Sequence, residues 1–180
     1  GIKFMERDKT WVAPSGATLW MSYLDRDDDV MRYQGQAFNW IGFDELTQWP
    51  TPYAWNYMRS RLRATKASGL PLYMRATSNP GGPGHQWVKK TFIDPNTPNK
   101  AFWATDENGE TIRWPVGHSR ENEPLFKRKF IPATLFDNPY LSEDGMYEAN
   151  LLSLPEHQRR QLLEGDWDIN EGAAFPEFNR

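Results

Sequence analysis

At 180 residues, with 38% hydrophobic and 25% charged side chains, the chain is long enough for one domain with a core and too short for a second full one. No apolar run approaches the roughly 20 residues needed to cross a bilayer, which excludes a helical membrane protein. The lack of cysteine excludes disulfides and thiolate zinc sites and permits a reducing compartment, while a net charge of -3 excludes a surface that grips nucleic acid on every side, so any DNA contact must be local.

The opening Gly1-Ile2-Lys3-Phe4 has neither an initiator Met nor the charged and apolar segments of a signal peptide, so the native start is expected upstream. Trp11-Val12, the turn Pro14-Ser15-Gly16-Ala17 and residues 18–24 predict a hairpin or edge pair. Asp25-Arg26-Asp27-Asp28-Asp29 lacks the alternating ligands and glycine of a calcium loop and reads as an exposed loop. Residues 38–43, Phe-Asn-Trp-Ile-Gly-Phe, form a short apolar strand of the kind covered on both faces in a parallel sheet, and it ends abruptly at Asp44-Glu45. Thr51 as N-cap and Pro52 at the first helical position open a helix in which Ala54, Met58 and Leu62 make a buried stripe, with Arg59 and Arg63 on another face. Ser68-Gly69-Leu70-Pro71 breaks that helix. Leu72, Met74 and Ala76 then alternate along a second strand that runs into Thr77-Ser78-Asn79-Pro80 and the loop Gly81-Gly82-Pro83-Gly84.

Strand, helix, strand, with a polar cluster after each strand, is the pattern of an open α/β sheet, whose ligands bind beyond the carboxyl ends of the strands. Both clusters are expected at one edge. From Ala101 the pattern changes to short strands around the turn Glu107-Asn108-Gly109 and a basic-apolar stretch at 126–135, an appended β element. Ser153-Leu154-Pro155-Glu156 has the form of a capping box opening a helix that includes Leu162 and Leu163 and ends at Gly165.

Two adjacent carboxylates at a strand end suit metal-nucleotide chemistry, the first holding Mg²⁺ and the second orienting the attacking water. In extended backbone their side chains point opposite ways, one to metal and one to water. An acidic pair facing solvent fits the same residues. Ser78-Asn79 offers a hydroxyl and an amide to sense a γ-phosphate, although Asn-Pro-Gly-Gly is also a strong turn signal in its own right.

Gln34-Gly35, Ile41-Gly42-Phe43-Asp44-Glu45-Leu46, Arg61-Leu62-Arg63, Arg75-Ala76-Thr77-Ser78-Asn79-Pro80-Gly81-Gly82 and His85-Gln86-Trp87-Val88 occur in an order that resembles the large terminase subunit of tailed phages. Phe136-Asp137-Asn138-Pro139-Tyr140-Leu141, Leu162-Leu163-Glu164-Gly165-Asp166-Trp167, Glu171-Gly172 and Phe175 extend the likeness almost to the last residue. The resemblance implies a partial P-loop NTPase (RecA/ASCE-like) sheet, with residues 41–45 as the Walker B strand, Asp44 at Mg²⁺ and Glu45 as the catalytic carboxylate. It implies that Thr77-Ser78-Asn79 is the coupling motif linking ATP hydrolysis to DNA movement. Arg61 and Arg63 fall where an arginine reaches a phosphate of this subunit or its neighbour; a surface salt bridge is the alternative.

The chain also departs from the family. No segment reads G-x-x-x-x-G-K-[ST], and no Lys follows Gly81-Gly82-Pro83-Gly84 to reach the β/γ-phosphates, so the Walker A half is absent. The resemblance places the nuclease domain beyond a Trp-Asp-x-x-x-Gly-x-x-Phe segment, and the chain stops at Asn179-Arg180. Residues 1–100 are therefore expected to be the C-terminal half of the packaging ATPase core, and 101–180 a β element and helical linker leading towards a nuclease domain. On its own this stretch is expected to be inactive. In the parent the resemblance implies ATP and Mg²⁺ as cofactors, and double-stranded DNA, portal protein, small terminase subunit and a homo-oligomeric motor ring as partners, in the host bacterial cytoplasm and without a membrane.

His85, His118 and His157 are far apart in sequence and read as surface or loop histidines rather than a metal site. Trp40, Trp55 and Trp87 lie beside the inferred cores, whereas Trp103 and Trp114 are candidates for exposure. Basic residues cluster at 59–63, 89–90, 127–129 and 159–160, where a solvated surface and a local DNA contact are both open. Two other functions compete with the motor: a non-catalytic assembly module touching portal, small subunit or neighbouring motor subunits, and a carbohydrate-binding domain, which would be all-β.

Overall fold

The computed structural model describes residues 1–142 and 145–169. Glu171, Gly172 and Phe175, and the chain end at Asn179-Arg180, lie outside the described residues. Three short strands come first: β1 (Lys3–Met5), β2 (Thr10–Val12) and β3 (Thr18–Trp20) form an antiparallel meander. The expected hairpin is β2–β3, closed where the Gly16 N–H donates to Ala13 O at 2.9 Å with Gly16 at φ +83°. Its second strand stops at Trp20, short of the expected 18–24, and β1 is an addition too brief to leave a sequence signal.

The acidic run 25–29 is more than an exposed loop. It starts a 3-10 helix over Asp27–Tyr33, because the Asp29 carboxylate accepts the backbone N–H groups of Asp25 (2.8 Å) and Arg26 (3.0 Å) and pairs with Arg32. That turn delivers Val30 and Tyr33 into the core, where they meet Ile41, Ala54 and Met58.

β4 (Trp40–Phe43) and β5 (Tyr73–Ala76) are parallel neighbours as expected, with Ile41 opposite Met74 and Phe43 opposite Ala76. Between them, α1 (Tyr53–Arg59) packs Ala54, Trp55 and Met58 on one face of the pair. The helix is shorter than the sequence suggested. After Ser60 the backbone leaves helical geometry and bridges Phe38: the Phe38 N–H donates to Arg61 O at 2.9 Å and the Arg63 N–H to Phe38 O at 3.0 Å. Leu62 still packs against the same core, from this bridge rather than from a helix.

Double coverage of β4 does not hold among the described residues. Trp40 and Tyr73 are each 41% exposed on the second face. Trp40 lies over Gly42, where a Cβ would come within 2.5 Å of the indole, so the tryptophan covers its own strand and leaves the apolar run without a second layer.

Beyond β5, α2 (His85–Val88) runs into a π-helical turn, Lys89–Ile93, and packs Val88 with Leu46 and Trp55. The appended β element is an antiparallel pair, β6 (Ala101–Trp103) with β7 (Lys127–Lys129). The turn around 107–109 is held by Asp106, whose carboxylate accepts from the Asn108 N–H (2.9 Å) and Glu110 N–H (3.0 Å). α3 (Pro139–Ser142), α4 (Met146–Leu152) and α5 (Glu156–Leu163) follow, and Leu135, Leu151 and Leu163 form their small core.

The expected capping box at 153–156 is not made. Ser153 donates its hydroxyl back to Asn150 O at 2.7 Å, finishing α4, and α5 starts after Pro155 with no side-chain cap. Gly165, at φ +64°, does end the helix region as expected. Asp166 then pairs with Arg160, and Trp167 folds back onto the first half of the chain.

Taken together, the described residues form a mixed α/β protein of small sheets and helices with no closed barrel. That excludes the all-β arrangement of a carbohydrate-binding domain. No helix among them is long and apolar enough to cross a membrane.

Candidate functional site

The parallel pairing of β4 and β5 puts Asp44-Glu45 and Thr77-Ser78-Asn79 at the carboxyl ends of adjacent strands, since Phe43 and Ala76 are register partners. Backbone bonds continue the pairing past the strands: the Thr77 N–H donates to Phe43 O (3.0 Å) and the Leu46 N–H to Thr77 O (2.9 Å). The Thr77 hydroxyl donates to the Asp44 carboxylate and accepts from the Glu45 N–H at 3.4 Å. One side chain therefore orients both acidic residues.

Glu45 does not continue the strand. At φ +50°, ψ +56° it adopts the left-handed conformation, uncommon for a residue with a side chain. The expectation that two neighbouring carboxylates diverge because the backbone is extended is thus corrected: a turn at Glu45 separates them. The short 3-10 turn Leu46–Gln48 follows, with Leu46 and Thr47 buried. Asp44 and Glu45 are exposed and line an open cleft of about 640 Å³ with Asp25, Arg26, Asp27 and Gln48.

Thr47 is a neighbour of the candidate site that the sequence did not announce. Its N–H donates to the Ser78 hydroxyl (3.0 Å), its own hydroxyl donates to Asn79 O (3.0 Å), and its carbonyl accepts the Gly84 N–H (2.7 Å). Ser78 completes the set by donating to Thr47 Oγ1 at 3.0 Å. Ser78 is committed to holding this turn, whereas the exposed Asn79 side-chain amide has no hydrogen-bond partner among the described residues.

The glycines of 81–84 serve close backbone approach. A Cβ on Gly84 would sit 2.0 Å from Trp49 O and 2.9 Å from Thr47 O, and one on Gly82 would sit 2.9 Å from Thr47 O. His85 is buried rather than a surface histidine, because its Nδ1 accepts the Gly81 N–H at 2.8 Å and its ring stacks on Trp167.

Arg61 and Arg63 are not brought to the carboxylates. They flank Leu62, which bridges Phe38, so they lie at the other end of β4, about 20 Å from Asp44 at the rise of an extended strand. Arg61 binds Ser60 Oγ and lies over Tyr57, and Arg63 donates to Gln36 O at 2.6 Å. Neither forms a salt bridge among the described residues.

Fold and site together define an α/β protein with an acidic pair and a hydroxyl-amide cluster at the carboxyl edge of a parallel sheet. Residues 1–180 match the family profile described as terminase large subunit, T4likevirus-type, N-terminal, and the chain belongs to that family. No match was found among curated proteins or solved structures.

Proposed function

We propose that the chain is part of the ATP-driven motor that packages DNA into the procapsid of a tailed phage, built on a partial P-loop NTPase core. The observation that carries it is the joined pair of strand ends, with Asp44 and Glu45 oriented by Thr77, two residues before Asn79, whose side-chain amide has no hydrogen-bond partner among the described residues. Hard, exposed carboxylate oxygens on an open cleft suit Mg²⁺ and a water, so the donor set fits the metal half of the chemistry. It does not supply a phosphate cradle, because no segment reads G-x-x-x-x-G-K-[ST].

Asp44 would hold the magnesium of Mg-ATP, which supplies charge neutralisation when bound. Glu45, raised out of the strand by its left-handed turn, would orient the attacking water and take its proton. Asn79 would report the γ-phosphate to the DNA-gripping parts, through a backbone already tied to Thr47. The phosphate cradle would come from a Walker A segment elsewhere in the subunit, and Arg61 and Arg63, remote from Asp44, would serve a neighbouring subunit in the motor ring. Residues 1–100 would then be the ATPase core, and 101–180 the element leading towards a nuclease domain. Portal protein and small subunit would be its partners in the host cytoplasm.

The test uses a longer subunit that includes a Walker A segment. Glu45→Gln should leave ATP affinity within about threefold and lower turnover by about 100-fold or more. Asn79→Ala should reduce DNA packaged per ATP with a smaller fall in turnover. If Glu45→Gln turns over ATP at the original rate, the motor assignment of this site fails and the assembly module takes its place.

A further inference from the structure

Most arginines with described contacts give a guanidinium hydrogen to an oxygen: Arg32 to Asp29, Arg63 to Gln36, Arg113 to Asn122, Arg120 to Glu123, Arg160 to Asp166. Arg59 and Arg128 are set apart by sharing one aromatic ring. Arg59, at the end of α1, stands with its guanidinium carbon 4.5 Å from the centroid of the Phe126 ring, and Arg128 stands 5.5 Å from the same centroid and 5.7 Å from that of Phe92. Both are half-buried. Arg128 gives one hydrogen bond, to Thr105 O at 3.1 Å, and Arg59 gives none among the described residues. No carboxylate pairs with either among the described residues.

Two cations gathered at one aromatic ring and withdrawn from water are costly without an anion. Burial lowers the affinity of both for their protons, and the neighbouring Arg59 adds to this at Arg128, which is pushed down to about 10. Both stay charged at neutral pH. Lys127 and Lys129 flank Arg128 on β7 but, as strand neighbours, project from its opposite face, where the Lys127 ammonium sits 4.6 Å from the Trp103 ring. Two cations without a carboxylate partner among the described residues, both partly withdrawn from water against one aromatic ring, thus meet on a chain whose net charge is -3.

We propose that Arg59 and Arg128, gathered at Phe126, form a phosphate-binding site that holds the backbone of duplex DNA. A guanidinium with free N–H donors binds a phosphate in fork geometry, and a pair of guanidiniums at one ring suits the closely spaced phosphates of a polyanion. The aromatic rings fix the guanidiniums in place before the ligand arrives. This rests on the DNA-packaging assignment and adds where the duplex is gripped: at the end of α1, the end of the sheet opposite Asp44.

The measurement is the affinity of the 180-residue chain for a labelled duplex of about 20 base pairs, across roughly 50 to 200 mM salt. Arg59→Gln and Arg128→Gln should each weaken binding about tenfold and reduce the salt slope by about 1. Arg128→Lys should recover part of both, and Lys3→Gln, on the N-terminal meander, should change neither. Binding is read without ATP, so its outcome does not depend on hydrolysis, which separates failure of this site from failure of the ATPase assignment. Unchanged affinity and slope in a folded Arg59→Gln variant overturn the proposal, as does release of the duplex by inorganic phosphate or ATP at equal charge. If Arg128→Gln lowers the melting temperature, Arg59→Gln, whose side chain makes no hydrogen bond among the described residues, decides the matter alone.

Discussion

The imidazole of His85 lies against the indole of Trp167, with ring centroids 5.4 Å apart and planes inclined by 24°. His85 also holds the Gly81 N–H, so this stack ties the segment after α5 to the loop that follows Asn79. Lys89 reinforces the junction by pairing with Asp168 at 3.0 Å and Asp94 at 3.2 Å. Trp167→Ala should destabilise the chain by about 3 kcal/mol in a urea titration. Hydrogen exchange at the Gly81 amide should quicken more than at Ile41, in the sheet. Equal protection at Gly81 in both proteins would show that the stack does not support the loop.

Thr77 governs the orientation of the acidic pair, because its hydroxyl serves Asp44 and the Glu45 N–H at once. Thr77→Val keeps the shape and removes both bonds. In a longer subunit with a Walker A segment, it should lower turnover by about tenfold and stability by about 1 kcal/mol. Thr77→Ser, which keeps the hydroxyl, should restore most of the activity, and a serine variant no better than valine would argue against this role.

Gly84 and Gly109 separate two reasons for glycine. At Gly84 an added methyl meets Trp49 O at 2.0 Å and Trp87 Nε1 at 2.7 Å, so Gly84→Ala should cost about 3 kcal/mol or more. At Gly109 nothing lies within 4 Å, and only the backbone at φ +85° opposes a side chain. Gly109→Ala should cost about 1 kcal/mol. Thermal unfolding of both variants, side by side, checks the order.

The carboxyl of Asp29 is held below its ordinary range, first by the Arg26 N–H, then by the Asp25 N–H, with Arg32 adding to both. A group with a depressed folded-state pKa stabilises fully above its unfolded value, about 3.9, and that stability is lost as pH falls through the lower folded value. Asp137, held by Thr134, and Asp166, held first by the Asp168 N–H, act in the same direction. Melting temperature should therefore decline below about pH 4. Asp29→Asn should flatten that decline while lowering stability at pH 7, and an unchanged acid profile would show that the carboxylate contributes nothing.

Local patterns along the chain were enough to identify β4, β5, the helix between them and the placement of Asp44-Glu45 and Thr77-Asn79 at strand ends. Apolar periodicity and turn residues are properties of neighbours in sequence, and parallel pairing of two strands around a helix follows from them. The length of α1 was not legible, because the exchange of bonds between Phe38 and residues 61–63 joins positions more than twenty apart. The left-handed turn at Glu45 carries no sequence mark, as any glutamate after a strand looks the same; Thr77 and Ser78 hold it from the neighbouring strand end through the Glu45 and Thr47 N–H groups.

What the sequence determined by itself was the chemistry available: an acidic pair, a hydroxyl-amide cluster, glycines and clusters of basic residues, together with an order of motifs sufficient to identify the family. Tertiary structure alone decided which of these meet. It linked Thr77 to Asp44, buried His85 beneath Trp167, placed Arg61 and Arg63 at the far end of β4, and brought Arg59 to Arg128 across 69 positions of sequence around Phe126. The physical reason is that hydrogen bonds, stacking and desolvation act at a few ångströms in space. Proximity of that kind between distant residues exists only once the chain has packed.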